Sequence, residues 1–294
     1  MPRRVSPPRL ALLSALVLVY SVCYVAIKAG LEYAPPLAFA GLRAGIAGVV
    51  LAVAASARSG ALLPPRRLWP GVVALGLLGT TVGYGAMFMA PGRSGAGISS
   101  VLGNMGSLFL IVLGWLFLGE PLSRRKLEAV GVGVVGVTLI AYPAVTEPTL
   151  AGPTAALFPL AAALALAGSA VILKRIDARD SLGHVAAWQL LLGAAPLLVL
   201  SSWLEAGSEV AWTPTFGALL AFLAIVGTAA ATWVWYWLVQ REDVGRLGVF
   251  MFGVPLVGLV FAWALFDEPV SARTGVGALL AIGAVVRVAS PLAG

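Results

Sequence analysis

The chain has 294 residues, of which 60% are apolar and only 11% charged, and its formal net charge is +7 at pH 7. A soluble globular domain carries roughly 25% charged residues, so this composition and a mean hydropathy of +0.99 exclude a soluble protein. The apolar residues form runs of about twenty, the length that crosses a bilayer as a helix. The sequence therefore predicts a membrane protein that spans the bilayer several times.

Ten apolar runs follow one another along the chain, separated by short connections that contain proline, glycine or charged residues. The predicted spans of the first half are residues 10–29, 37–57, 68–90, 95–118 and 127–144. Those of the second half are residues 154–173, 185–204, 215–238, 244–266 and 274–289. No connection is long enough for a separate soluble domain. We therefore predict an all-α membrane protein with ten transmembrane helices.

The basic residues are distributed unevenly between the two sets of connections. Most of them, including the pairs at Arg3, Arg66 and Arg124, fall on the side that also holds both chain ends. Because Lys and Arg are retained on the inner side of a membrane, this bias places both termini in the cytoplasm. Topology thus explains the positive charge, and we expect a lipid bilayer and no nucleic acid as surroundings.

One stretch of sequence occurs twice. WLFLGEPLSRRK begins at Trp115, and WALFDEPVSART begins 148 residues later at Trp263, with Trp, Glu, Pro, Ser and one Arg in register. Five predicted spans separate the copies, so the copies lie on opposite sides of the membrane. This indicates two five-helix halves of inverted topology, residues 1–146 and 147–294. Inverted repeats are typical of transporters, whose substrate site lies near the midplane between the halves.

Polar and aromatic side chains recur at i, i+4 and i+7 in several spans, a spacing that places them on one helix face. Such stripes occur in the third, fourth and eighth spans, and the 148-residue offset relates the third to the eighth. Together with two tyrosines of the first span and the arginine of the second, they form a candidate substrate cavity. Its members are Tyr20, Tyr24, Arg43, Thr80, Tyr84, Ser100, Asn104, Thr228, Thr232 and Trp235. Interhelical hydrogen bonding and ordinary packing are their alternative roles.

Arg43 lies about two turns into the second span, deep enough that it should face the protein interior or a wet cavity. It would either bond helix-end carbonyls or attract a substrate carboxylate or phosphate. All twelve carboxylates lie at span ends or in connections, whereas proton-coupled carriers bury an acid or a histidine. We therefore expect facilitated diffusion or exchange. No metal-ligand cluster and no nucleophile–base pair occurs, so we expect no enzyme, metal or cofactor.

Two positions are candidate hinges. Pro255 interrupts the ninth predicted span just after Gly253, where a kink and a freed carbonyl are expected. Ser107 occupies the equivalent place in the fourth span. Either position could gate the transport path or could be one of the breaks that membrane helices tolerate.

The repeat-end motifs and the Gly-rich runs after them, GVGVVGV from Gly131 and GVGALLAIGA from Gly275, resemble the EamA-type members of the drug/metabolite transporter superfamily. The basic residues Lys28 and Lys174, which close the first helix of each half, and Arg43 in the second helix also match the family pattern. Ser107 departs from it, because the family usually has a proline there. Within the superfamily, the overall pattern is similar to that of the YddG-like amino-acid exporters, although no motif separates these from other members.

The resemblance implies a basket of helices around a central cavity, alternating access, and export across the bacterial inner membrane. We therefore expect a transporter of small organic solutes, foremost amino acids including aromatic ones, that works as a monomer without proton coupling. A nucleotide-sugar or phosphorylated-metabolite exchanger is the alternative transport function. A membrane sensor that does not transport is the alternative outside transport. Glu120 and Glu268 are expected to cap or tether the turns after the fourth helices of the two halves.

Overall fold

The computed structural model describes residues 7–90, 102–103, 105–145, 157–254, 257 and 272–289. Within these residues every regular element is a helix and no strand occurs, which agrees with the predicted all-α class. Six helices are long and apolar enough to cross a membrane, as a multi-pass membrane protein requires. Two further helices, Met105–Leu118 and Gly275–Ala284, are apolar but shorter, so the number of ten spans stays a prediction.

The helices with described bounds are numbered here in chain order. In the first half they are α1 Pro7–Gly30, α2 Pro36–Ser59, α3 Arg66–Ala90, α4 Met105–Leu118 and α5 Arg124–Val145. In the second half they are α6 Leu157–Arg175, α7 Arg179–Leu204, α8 Pro214–Val239, α9 Val244–Phe250 and α10 Ala272–Ala289. The six candidate spans are α1, α2, α3, α6, α7 and α8.

The start and the end of α2 are set by local chemistry. Pro36 lies in its first turn, where the missing N–H costs nothing, and Gly60 ends it with a φ of 70°. The carboxylate of Glu205, just after α7, accepts hydrogen bonds from the backbone N–H groups of Leu37 (2.7 Å) and Ala38 (3.0 Å). The end of α7 therefore holds the beginning of α2 in place.

Helices α2 and α7 run antiparallel and in close contact. Gly41 faces Leu198, and Gly48 faces Leu191; a Cβ atom on either glycine would lie within 3 Å of the leucine side chain. Small residues let membrane helices approach closely enough for extensive van der Waals contact. The two helices that the sequence repeat makes equivalent thus pack against each other.

Helices α5 and α10, the last helices of the two predicted halves, are also antiparallel neighbours. A Cβ atom on Gly136 would lie 2.6 Å from the carbonyl oxygen of Gly277. Nearer the other end of the contact, Arg287 of α10 forms an ion pair with Glu128 of α5. A second pair of equivalent helices is therefore joined in the same antiparallel manner.

A π-helical segment interrupts both α3 and α8. In α3 it covers Gly76–Tyr84 and in α8 it covers Ile225–Ala230. Shifting the first segment by the 148-residue repeat offset gives residues 224–232, which contain the second. π-helical turns are uncommon and occur frequently at functional sites. Their recurrence at equivalent positions of α3 and α8 makes these two segments candidates for a functional site.

The ninth predicted span, residues 244–266, does not continue as one helix through its first part. Helix α9 ends at Phe250, and the following N–H groups of Phe252 and Val254 form short turn bonds to Val249 and Met251. Pro255 itself lies outside the described residues. Since a proline has no N–H to bond the carbonyl four residues earlier, the break at Met251 is where its effect is expected. Hydropathy alone did not reveal this end of the helix.

Ser107, the second predicted hinge, lies within regular α4. Its side chain is buried, and its hydroxyl donates a hydrogen bond of 2.7 Å to the carbonyl oxygen of Gly248 in α9. The residue thus joins α4 to α9. Whether it also acts as a hinge stays a prediction.

Replacing Gly193 by alanine is expected to destabilise the protein. An added Cβ would overlap Thr80 and lie 2.5 Å from the carbonyl oxygen of Gly76, both in the π segment of α3. Overpacking of this kind costs about 1–3 kcal/mol. We expect a lower thermal unfolding temperature in detergent, whereas Gly217→Ala, which has no neighbour within 4 Å, should leave it unchanged or raise it. Equal unfolding temperatures for Gly193→Ala and the native protein would contradict this packing.

Candidate functional site

Arg43 is buried where α1, α2, α3 and α8 meet, with 3% of its surface exposed. Its Nε donates a hydrogen bond to the hydroxyl of Thr228, and its Nη2 donates one of 3.1 Å to the carbonyl oxygen of Gly227. Its Nη1 has no partner among the described residues. Since a guanidinium offers five N–H donors, at least the two on Nη1 are left for another acceptor.

Two aromatic rings cover the guanidinium of Arg43. Its Cζ lies 5.4 Å from the ring centroid of Tyr84 and 5.7 Å from that of Phe88, both in α3. Such cation–π contacts stabilise a buried cation by roughly 0.5–2 kcal/mol. No carboxylate pairs with Arg43 within the described residues. The rings and the two hydrogen bonds hold the cation, and its full charge remains available to an anion.

The π segment of α8 orients the group that Arg43 contacts. The Thr228 hydroxyl donates to the carbonyl oxygen of Leu223, five residues earlier, at 2.8 Å. With its only proton so engaged, the oxygen can act only as an acceptor toward Nε of Arg43. Gly227 beside it must be a glycine, because a Cβ there would overlap Sγ of Cys23 in α1.

An equivalent contact joins α3 and α7, which are the counterparts of α8 and α2 under the sequence repeat. Thr80, in the π segment of α3, donates a 2.8 Å hydrogen bond to Oε1 of Gln189 in α7, and both side chains are buried. The 148-residue offset pairs Thr80 with Thr228, and an offset of 146 in the second helices pairs Arg43 with Gln189. Each half thus bonds a polar residue of its second helix to the threonine in the π segment of the other half. One of the two pairs carries a charge and the other is neutral.

The remaining predicted cavity residues fall into two groups. Tyr20, Tyr84 and Trp235 are partly buried and pack against one hydrophobic cluster that includes Tyr236. Thr232 is buried in α8, three residues before Trp235. Ser100 and Asn104 lie outside the described residues, as does the predicted hinge Pro255. For Tyr24 the structure describes the backbone but not the side chain.

The structure adds residues that were absent from the predicted site. Phe88 and Gly227 contact Arg43, Cys23 lies against Gly227, and Gln189 bonds Thr80 in the equivalent contact. The repeated Gly-Thr pair, Gly79-Thr80 and Gly227-Thr228, was the available signal for Gly227. Phe88 and Cys23 carry no sequence signal of their own, because each is an apolar residue within an apolar run.

A second polar region lies where the end of α4 meets the start of α9. The Glu120 carboxylate accepts hydrogen bonds from the backbone N–H groups of Val244 (2.9 Å) and Gly245 (3.2 Å). The Lys126 ammonium donates to both oxygens of Asp243 at 2.7 Å and lies 3.8 Å from Glu120. Glu120 therefore ties the turn after α4 to the start of α9, a helix of the other half, whereas Glu268 lies outside the described residues.

Neighbouring side chains extend this region into a charged cluster. Glu242 forms an ion pair with Arg9 of α1, and its carbonyl oxygen accepts a 2.6 Å hydrogen bond from Nζ of Lys174 in α6. Asp243 caps α9 by accepting from the N–H of Arg246 at 2.9 Å. The charged cluster is defined as Arg9, Glu120, Lys126, Lys174, Glu242 and Asp243.

The two carboxylates nearest α9 differ in acidity. Burial, followed by a hydrogen bond and charge repulsion from Asp243, raises the pKa of Glu120 to about 7. Burial opposes ionisation of Asp243 too, but hydrogen bonds with Glu120 and Lys126 outweigh it and lower the pKa of Asp243. Near neutral pH, Asp243 is therefore ionised, and Glu120 is divided between its neutral and ionised forms.

In the part of the chain that the structure describes, no group of three His, Cys, Asp or Glu side chains is placed to hold a metal ion. The arrangement around Arg43 offers instead a fixed positive charge between aromatic rings. A fixed positive charge of this kind can attract an anionic group.

The sequence model of the EamA-like transporter family matches the chain twice, at residues 9–142 and 153–290. A Bacillus subtilis (strain 168) protein named uncharacterized transporter YvbV is 29% identical over 274 residues, which cover 93% of this chain and 89% of that protein. A Salmonella typhimurium (strain LT2) protein named probable amino-acid metabolite efflux pump is 28% identical over 276 residues, covering 90% and 89%.

A solved crystal structure shares the fold. It is 20% identical in sequence, covers 96% of this chain and 96% of its own, and has a TM-score of 0.81. At this identity the likeness concerns the path of the backbone only.

Proposed function

Because this chain belongs to the EamA-like transporter family of the drug/metabolite transporter superfamily, we propose that it exports small organic solutes, foremost amino acids including aromatic ones. The chain is a multi-pass membrane transporter. We further propose that its substrate site lies between residues 1–146 and 147–294 and opens to each side of the membrane in turn.

The observation that carries this proposal is the incomplete bonding of Arg43. A buried guanidinium with an unpartnered Nη1 is costly, because leaving a buried hydrogen-bond donor without an acceptor costs about 1–3 kcal/mol of stability. The cost is larger for a charged donor. A carboxylate would accept two parallel N–H bonds from such a group. The rings of Tyr84 and Phe88 beside it suit an apolar or aromatic substrate body. An α-amino acid supplies both features in one molecule.

Several features support two inverted halves around this site. The family model matches once in each half. Helices α2 and α7, and likewise α5 and α10, pack as antiparallel pairs. The Arg43–Thr228 and Gln189–Thr80 contacts are equivalent under the repeat. An axis through these contacts would relate the halves, and their relative tilting would alternate access.

Amino acids fit the site better than phosphorylated solutes do. Several convergent cations are needed to bind a phosphate group of two negative charges or a nucleotide-sugar, but Arg43 is the one buried Lys or Arg among the described residues. The name of the Salmonella relative, probable amino-acid metabolite efflux pump, agrees with this choice.

Facilitated diffusion is the proposed energetic mode. Among the described residues, the buried charged side chains are Arg43 and Glu242, and Glu242 lies in the connection after α8 rather than within a span. The buried His184 lies near the start of α7, where its ring contacts Ser59 and the carbonyl oxygen of Ala61 at the end of α2 rather than the Arg43 site. A carrier that translocates protons needs a titrating group within the span. We also propose a monomer in the bacterial inner membrane with both termini in the cytoplasm.

The test is radiolabelled uptake into proteoliposomes, screened across the amino acids with and without imposed proton and sodium gradients. We expect saturable equilibration of at least one amino acid that needs neither gradient. Accumulation driven by a pH gradient alone would overturn the uncoupled mode. Exchange of phosphorylated solutes with no amino-acid flux would overturn the substrate class, and specific amino-acid binding without flux would favour a sensor.

A further inference from the structure

A cavity rich in basic residues lies at the ends of α6 and α8, on the side that the distribution of Lys and Arg assigns to the cytoplasm. Its volume is about 330 Å³, within the range of about 300–1,000 Å³ found for small-molecule sites. The basic cavity is defined by its lining residues, which are Lys174, Arg175, Ile176, Asp177, Arg179 and Gln240. None of them contacts Arg43, so the basic cavity is separate from the candidate substrate site.

Positive charge dominates the lining of the basic cavity. Lys174, Arg175 and Arg179 are cations, whereas Asp177 is the one carboxylate among the lining residues. Within the described part of the chain, none of these four side chains forms an ion pair. Lys174 also faces the carboxylates of the charged cluster, whereas Arg175 and Arg179 are exposed. The two arginines are therefore the main groups that an anion in this cavity would meet.

The end of α4 holds Arg175 in a fixed orientation. Its Nε and Nη2 donate hydrogen bonds of 3.2 and 2.7 Å to the carbonyl oxygen of Phe117, and its Cζ lies 5.6 Å from the centroid of the Phe117 ring. A guanidinium has five N–H donors, so two on Nη1 and one on Nη2 remain for another acceptor. Such donors bind the oxygens of a phosphate group in parallel. The chain thus orients Arg175 without neutralising its charge.

The side of the basic cavity formed by α8 is fixed as well. Gln240 is buried, and its Nε2 donates hydrogen bonds to the carbonyl oxygens of Leu173 and Ile176, the second at 3.0 Å. Lys174 donates a 2.6 Å hydrogen bond to the carbonyl oxygen of Glu242, which leaves two N–H donors on its ammonium. These bonds join the end of α6 to the end of α8 and hold the lining in place.

The surface beside the basic cavity is apolar. Trp115, Leu116 and Phe117 at the end of α4 are all exposed, and Phe117 is the residue that holds Arg175. In a bilayer, apolar residues of this kind contact acyl chains, whereas the head of an arginine reaches the level of the phosphates. The volume also exceeds that of a bare ion, since a water takes about 30 Å³. A phosphate ester that carries acyl chains fits both the cavity and the surface beside it.

We propose that the basic cavity binds the phosphate of an anionic phospholipid from the cytoplasmic leaflet. Arg175 and Arg179 contact the phosphate, and the acyl chains lie along the exposed end of α4. Basic pockets between helices on the cytoplasmic side suit phosphate headgroups of this kind. Because Arg175 of α6 also bonds Phe117 of α4, a bound lipid stabilises a contact between the two predicted halves. This binding does not depend on the transport function.

Thermal unfolding of the purified protein in detergent, titrated with a short-chain phosphatidylglycerol, tests the proposal. The unfolding temperature should rise and level off, because a ligand that binds only the folded state stabilises it. Each Lys or Arg near a membrane surface raises the affinity for an anionic lipid about fivefold. The double variant Arg175→Gln, Arg179→Gln should therefore need roughly 25-fold more lipid for half of the shift. Arg179→Gln alone keeps the bonds of Arg175 to Phe117 and should need about fivefold more.

The matched control is the double variant Arg66→Gln, Arg67→Gln, which removes the same charge from two exposed arginines at the start of α3. It should respond to the lipid as the native protein does, and equal responses of the two double variants would overturn the site. An equal shift with phosphatidylcholine would overturn the preference for an anionic headgroup. An equal shift with soluble glycerol phosphate would overturn a lipid as the source of the phosphate. No flux enters these measurements, so a failure of the transport proposal would leave their outcome unchanged.

Discussion

Arg43→Gln is expected to raise the KM for amino-acid transport roughly 10- to 100-fold, because a hydrogen-bonded charge on the substrate carboxylate contributes about 1.5–3 kcal/mol. Glutamine can still donate to Thr228 or Gly227, so the helices that Arg43 joins should remain in contact. Arg43→Lys keeps the charge but loses the planar pair of donors. It should give an intermediate KM, measured by initial rates of uptake into proteoliposomes.

Arg58→Gln is the matched control for Arg43. Arg58 lies in the last turn of the same helix and is exposed, so its loss should leave the KM unchanged. Equal KM values for native protein and Arg43→Gln, at normal insertion and amount, would show that the guanidinium serves helix packing only. In that event Arg43 would have no part in substrate binding.

Thr228→Val is expected to raise the KM about tenfold and to lower the thermal unfolding temperature. Valine has the shape of threonine but cannot accept the bond from Nε of Arg43 or donate to Leu223. A buried donor left unpaired costs about 1–3 kcal/mol, and the guanidinium loses one of its two fixed contacts. Thr228→Ser retains the hydroxyl and should behave nearly as the native protein does in both measurements.

Thr80→Val separates orientation of Arg43 from general packing of the π segments. It removes the equivalent contact in the other half, between Thr80 and neutral Gln189. Its unfolding temperature should fall as in Thr228→Val, but its KM should change much less because Arg43 keeps both partners. Similar KM values for the two valine variants would contradict the orienting role of Thr228.

The positions of the helices were predicted well where the apolar runs in the sequence are long. The span predicted at residues 37–57 lies within α2, Pro36–Ser59, and the span predicted at residues 68–90 lies within α3, Arg66–Ala90. Membership in the family is confirmed as well. These features were predictable because desolvation of some twenty residues leaves a strong compositional signal.

Two features of the helices left no such signal. The π segments consist of glycine, threonine, tyrosine and apolar residues, which also occur throughout the α-helical parts of this chain, so their composition does not mark them. Helix α9 ends at Phe250, although the apolar run continues beyond it. Hydropathy did not predict this end, because it reports burial and not backbone hydrogen bonding.

The sequence named single candidate residues for the site but not the contacts between them. The sequence indicated that Arg43 faces the interior, and the structure buries it. Its partner Thr228 lies 185 residues away in the chain, and Glu120 and Val244 are 124 apart. Contacts of such separation depend on the register between helices, which a single sequence does not specify. The duplication gave a partial guide, since its 148-residue offset paired Thr80 with Thr228.

The most direct test of the account compares a transported amino acid with its carboxamide as inhibitors of uptake. The carboxamide keeps the side chain and the amino group but lacks the negative charge that Arg43 is proposed to bind. Native protein should prefer the amino acid by at least about tenfold, and Arg43→Gln should lose that preference. Equal inhibition of the native protein by both compounds, or an unchanged preference in Arg43→Gln, would contradict carboxylate binding by Arg43.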